Sequence, residues 1–211
     1  MTDAGVQSWQ VMLDAIDWDD WFIPAESSPT KLRNSVLLLA KAKSKAEASE
    51  AAHRVRRDAG NDHGGVMYSV AVPLVDVLSN LAQQTEGEPR RAALNVLADW
   101  MGFTAYPSIQ VHPGSDASIA IAEEVWHRIS LAEPFLRSVA ADQSDVASEE
   151  ADDIIVCLGE GEGPANAGFD PIEVIRRLAE EGVAQFLQQW PGSSMAPSPN
   201  GKIVGVHIER C

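Results

Sequence analysis

Five histidines, His53, His63, His112, His127 and His207, are the side chains best suited to bind a metal or move a proton near neutral pH. No two of them stand four residues apart around a glutamate, so the zincin pattern is absent. Glu123, Glu124 and His127 fall within one helical turn and could present ligands from one face; without a metal motif they read as a solvated patch. His63 precedes a glycine pair, where a local hydrogen bond at the turn is its expected role. Gly159-Glu160-Gly161-Glu162-Gly163 has the glycines of a phosphate loop, but Glu160 and Glu162 would repel a phosphate and no lysine follows. There is no Gly-x-Ser-x-Gly nucleophile elbow, and Cys157 has no base beside it in the chain. These residues point to no catalytic group, no cofactor and no metal, and so to a binding protein rather than an enzyme.

Charge indicates what such a protein would bind. Asp and Glu outnumber Lys and Arg 31 to 16, for a net charge of −15. That surface repels nucleic acid and suits a basic protein partner. The charge is uneven. Residues 142 to 181 carry twelve acidic side chains, Asp152, Asp153, Glu160 and Glu162 among them, against only Arg176 and Arg177. Residues 31 to 58 hold eight basic side chains and three acidic ones. Such runs are commonly plain solvated helix faces. As a functional feature, the acidic stretch would mimic a nucleic acid backbone and plug a basic active site. The anchors of such an interface would be aromatic, with Tyr106, or Trp18 and Trp21 beside Asp19 and Asp20, as candidates. The more common role of the Trp18, Trp21 and Phe22 rings is to cap the open end of the core.

Helices must carry these residues. The 3.6-residue apolar period marks helices over 8–17, from Thr30 as N-cap to Ala42, from Ser44 to Asp58, and over Met67–Leu81. Gly60 reads as a helix stop, and Pro73 as a bend inside the fourth helix. A fifth helix starts at Pro89 and ends at Gly102; a sixth runs from about Asp116 until Glu133-Pro134 breaks it; another starts at Ser148. Residues 103–116 have the chemistry of a loop. Gly159–Gly168 is a second loop, Asp170-Pro171 starts a helix to Trp190, residues 191–201 form a linker, and Val204, Val206 and Ile208 give the chain's one strand-like alternation. The predicted organisation is one α-helical domain over 1–190 with a tail over 191–211. Val70-Ala71-Val72-Pro73-Leu74-Val75 is echoed by Leu131-Ala132-Glu133-Pro134-Phe135-Leu136, which suggests repetition. Cys157 and Cys211 are too few for a disulfide framework. No signal peptide and no apolar run of membrane-spanning length is apparent, so a reducing cytoplasmic setting is expected.

His63-Gly64-Gly65-Val66-Met67-Tyr68 followed by Ala71-Val72-Pro73-Leu74, together with Asp17-Trp18 ahead of a leucine-rich helix, resembles bacterial proteins built from HEAT-like α-helical repeats. The resemblance covers residues 18 to 101. It implies an all-α, right-handed α-α superhelix of about seven to eight helices, with a less regular C-terminal third. Several such proteins resemble immunity proteins, cytoplasmic binders that neutralise a cognate toxin; with the acidic C-terminal half, the toxin expected is a basic nuclease. A housekeeping adaptor or assembly scaffold on the same fold is the other reading. The expected partner surface comprises Asp19, Asp20, Tyr106, Asp152, Asp153, Glu160 and Glu162.

Overall fold

Helical periodicity in this chain becomes eight α-helices among the residues described, 8–111 and 118–159, in a computed structural model. They are α1 Ser8–Asp14, α2 Pro29–Leu39, α3 Lys45–Ala59, α4 Ala71–Gln84, α5 Glu88–Gly102, α6 Ile121–Ser130, α7 Glu133–Ala141 and α8 Ser148–Gly159. The described residues all lie in the unit Met1–Ala167. The features expected of Glu160, Glu162, the Asp170 helix and the tail lie outside them.

The starts of the helices follow local chemistry. Ser28, not Thr30, caps α2: its Oγ accepts the Lys31 N–H at 3.2 Å, and Pro29 takes the first helical position, where no N–H is needed. Ser44 caps α3 by accepting the Glu47 N–H, while the Glu47 carboxylate reaches back to the Lys43 N–H at 2.8 Å, a reciprocal arrangement like a capping box. Pro134 lies in the first turn of α7 and separates it from α6 as expected.

The predicted Met67–Leu81 helix is corrected. Val66, Met67 and Tyr68 form a strand, and α4 starts at Ala71, so Pro73 is its third residue and bends nothing. Only beyond the first turn would its missing N–H break a helix hydrogen bond. The two halves of the sequence echo are therefore two helix starts, at α4 and α7. Pro73→Ala is expected to shift stability by less than about 1 kcal/mol. A loss of about 3 kcal/mol or more in urea unfolding, or a gain of that size, would contradict the first-turn placement.

Residues 103–111 are corrected too, because they are not loop throughout, and strands form among the described residues where no alternation marked them. The strands are β1 Gly60–Asn61, β2 Val66–Tyr68, β3 Thr104–Tyr106, β4 Ile109–Val111 and β5 Ser118–Ala120. β1 pairs antiparallel with β2, and β2 pairs parallel with β3, with Met67 opposite Ala105. The parallel pairing uses α4 and α5 as its crossover. β4 and β5 form a separate antiparallel pair, and α6 starts at Ile121 directly after it, not near Asp116.

The core is built on α4. Val72, Leu74, Val75, Val77, Leu78 and Leu81 are all buried, so α4 is apolar on nearly every side, as a central helix must be. It packs against α1, α5 and α6. Successive helices pair as α2 with α3, α4 with α5 and α7 with α8, while α3, α5 and α8 lie side by side. One polar link is buried between α2 and α3: Ser35 Oγ donates to Asp58 Oδ2 at 2.6 Å. No helix among the described residues is long and apolar enough to cross a membrane.

Candidate partner-binding surface

The acidic and aromatic segment after α1 is shaped by its own side chains. Asp17 accepts the Asp19 N–H at 3.3 Å and holds a 3-10 turn over Trp18–Asp20. Trp18 and Trp21 pack against the core, as expected of caps on its end. Phe22 turns outward and stands 57% exposed. Its backbone is pinned nonetheless. The Phe22 N–H donates to Ser69 Oγ at 2.9 Å, and the Val70 N–H donates to the Phe22 carbonyl. Buried Gln110 on β4 donates its side-chain amide to the Asp20 carbonyl.

These bonds place the segment beside the strands that carry Tyr106. Tyr106 is 60% exposed and meets Tyr68 edge-on, with ring centroids 5.5 Å apart. Ile109, on the neighbouring strand, is exposed as well. Asp19, Asp20 and Tyr106, chosen from separate parts of the sequence, thus belong to one region. Phe22 joins them, and sequence reasoning had taken it for a buried cap. Phe22 and Tyr106 are thus exposed aromatics, the first on a backbone held by hydrogen bonds and in one segment with Asp19 and Asp20, and aromatic side chains of this kind anchor protein interfaces.

Asp152 and Asp153 are exposed on α8, which packs on α5 and α7; they do not join this cluster through any bond described above. Glu160 and Glu162 lie outside the described residues. The acidic stretch is also less of a surface than its composition implies. Asp145 forms an ion pair with Arg90, whose guanidinium lies over the Phe135 ring, and Glu150 accepts from Arg91 Nε at 2.7 Å. Two of its charges therefore hold α7, α8 and the turn between them against α5.

Comparison with family models, curated proteins and solved structures finds no match.

A second polar constellation escaped the sequence reading. Arg56 on α3 is 12% exposed and bridges three acceptors: Asp62 Oδ1 at 2.8 Å, Asp99 Oδ2 at 2.8 Å and Asn95 Oδ1 at 2.7 Å. The other Asp62 oxygen meets His53 Nδ1. Burial raises the Asp99 carboxyl above its usual range; Arg56 opposes the shift, and the nearby Asp62 charge adds to it. Burial likewise raises Asp76, against the opposing pull of Arg128. The His63 side chain makes no hydrogen bond within its turn, contrary to expectation; Asn61 Oδ1 holds the turn by accepting the Gly64 N–H at 3.0 Å, and the His63 ring sits 5.9 Å from that of His53.

A signal for this network was present in the chain. Lys45, Ser49, His53 and Arg56 recur at helical spacing along α3, and Glu88, Arg91, Asn95 and Asp99 do so along α5. Two polar stripes on adjacent helices can face each other, although only packing shows that they do. The Glu123, Glu124 and His127 patch resolves differently: Glu124 accepts from Arg128 Nε at 2.7 Å, while Glu123 and His127 are exposed. Among the described residues no group of three acidic, His or Cys side chains could hold a metal.

Proposed function

We propose that this chain is a protein-binding scaffold that neutralises a cognate toxin in the cytoplasm, with a basic nuclease as the toxin its charge best fits. The observation that carries this reading is the pinned, exposed pair Phe22 and Tyr106 with Asp19 and Asp20 beside them. The net charge of −15 adds long-range attraction for a basic partner. We take the three helix pairs as HEAT-like repeats in a superhelix; the side-by-side α3, α5 and α8 and the sequence resemblance support that reading.

Co-expression with genomic neighbours, followed by purification at high salt, tests the partnership. Rescue from one neighbouring toxin together with a stable complex is expected. Several endogenous partners and no toxin would favour the adaptor reading instead. In the complex, Phe22→Ala and Tyr106→Ala should each weaken affinity about tenfold or more, the loss typical of aromatic anchors. The free protein should keep its stability to within about 1 kcal/mol, since both side chains are largely exposed. Reversing Asp19 and Asp20 to Lys should mainly slow association, and most at low salt. Full affinity in both alanine variants would remove this surface from the interface.

A further inference from the structure

Where α3, α5 and α8 meet there is a cleft of about 90 Å³, lined by Lys45, Ser49, Glu88, Arg91, Asn95 and Glu150. It is separate from the aromatic surface and independent of the toxin reading. Glu150 is only 9% exposed. Its Oε1 accepts from Arg91, but its Oε2 is buried with no hydrogen-bond partner. Glu88 Oε2, at the start of α5, is likewise buried and unpartnered. Two carboxylate oxygens in one small cleft thus have nothing to accept from. Folded proteins rarely leave such groups unmatched, because each costs about 1–3 kcal/mol.

The chemistry of the walls limits what could complete them. An anion would meet two carboxylates. A hard divalent cation takes six or more oxygens, and only two carboxylates are here. A cation that carries several N–H donors can satisfy both oxygens at once and match their charge. The volume admits such a headgroup and little more, so its carbon chain would leave through the mouth. Arg91 already serves Glu150 Oε1; Lys45, the other cation on the cleft wall, is exposed and forms no ion pair with either glutamate among the described contacts.

We propose that this cleft binds a protonated amine or guanidinium headgroup, with Glu88 Oε2 and Glu150 Oε2 accepting its N–H groups. The headgroup can be the end of a lysine or arginine side chain on another protein, or of a free aliphatic amine.

The test is side-chain carboxylate 13C NMR of the full chain during titration with methylammonium and methylguanidinium chloride. Tetramethylammonium chloride at matched ionic strength carries the same charge without an N–H. Saturable shifts at Glu88 and Glu150 are expected with at least one of the first two salts and not with the third. Glu88→Gln should weaken binding about tenfold, the worth of one charge-assisted hydrogen bond; this variant leaves the Arg91 pair intact, whereas Glu150→Gln endangers the fold. Lys45→Ala removes an internal cation that could compete and should bind at least as tightly. Comparison of an amidated Gly-Lys-Gly peptide with cadaverine then separates the sources: tighter peptide binding indicates a protein side chain, and tighter cadaverine binding a free amine. Equal shifts with tetramethylammonium, or no saturable shift in both the native chain and Lys45→Ala, would overturn the proposal.

Discussion

Gly60→Ala is expected to destabilise the protein by about 3 kcal/mol or more, at the upper end of what overpacking costs. Gly60 follows α3 directly and pairs with Met67 across β1 and β2. A Cβ there would stand 2.1 Å from the Val66 carbonyl oxygen and 3.0 Å from Met67 Cα, so backbone rather than a flexible side chain blocks it. The backbone at Gly60 is extended, with φ near −172°, so the cost is steric and not conformational. Relief requires β1 and β2 to part. That would move the Asp62–Gly64 turn away from α3 and loosen the Asp62 bonds to His53 and Arg56. Urea unfolding should show the loss, and the His53 imidazole resonances should shift even in the folded fraction. A variant within about 0.5 kcal/mol of the native protein would mean that the two strands are not held this closely.

Arg56→Met should have the second large effect, about 2–4 kcal/mol, because it leaves Asp62 and Asp99 facing each other without their shared cation. Methionine preserves much of the apolar stem, so the loss reports charge more than packing. Asp99 is 42% exposed, and solvent screening keeps the figure below that of a fully buried pair. The loss must depend on pH. Burial already holds the Asp99 carboxyl above its ordinary value, so the folded state binds its proton more readily than the unfolded chain does. The penalty is therefore complete above the folded-state value and vanishes as the pH falls below the unfolded value, about 3.9. Without Arg56 the Asp99 carboxyl should rise further, and the gap between variant and native protein should narrow from about pH 7 towards pH 4. A gap that stayed constant or widened in acid would show that Arg56 acts through packing alone. Asp62→Asn in the Arg56→Met background should restore part of the stability at neutral pH, since it removes one of the two opposed charges.

The two variants probe features of different legibility. Gly60 was visible in the sequence as a helix stop, yet the reason only glycine serves there lies in the paired strand, at Val66 and Met67, six and seven residues on. Arg56 was one of eight basic side chains in a run that read as solvated. Its neighbours Asp62, Asn95 and Asp99 come from a later turn and from α5, so the polar stripe it shares with Lys45, Ser49 and His53 could not show what it faces. Phe22 shows the same limit. Its type argued for burial beside Trp18 and Trp21, whereas the hydrogen bonds to Ser69 and Val70 turn its ring outward.

The sequence by itself determined where most of the helices lie. Apolar period, Ser44 as cap, Gly102 at the end of α5 and Pro134 between α6 and α7 are all properties of a few neighbouring residues, and helical hydrogen bonds join only such neighbours. Tertiary structure alone decided that Val66–Tyr68 is a strand, since its parallel partner at Thr104–Tyr106 lies beyond two whole helices. It decided as well that Gln110 holds the Asp20 carbonyl, that Arg56 unites three acceptors, and that Glu88 and Glu150 line one cleft. Strand pairing, ion networks and clefts depend on groups far apart in the chain, and the free energy that assembles them comes from burying the faces of α4 and α5, not from the local preferences of the residues concerned.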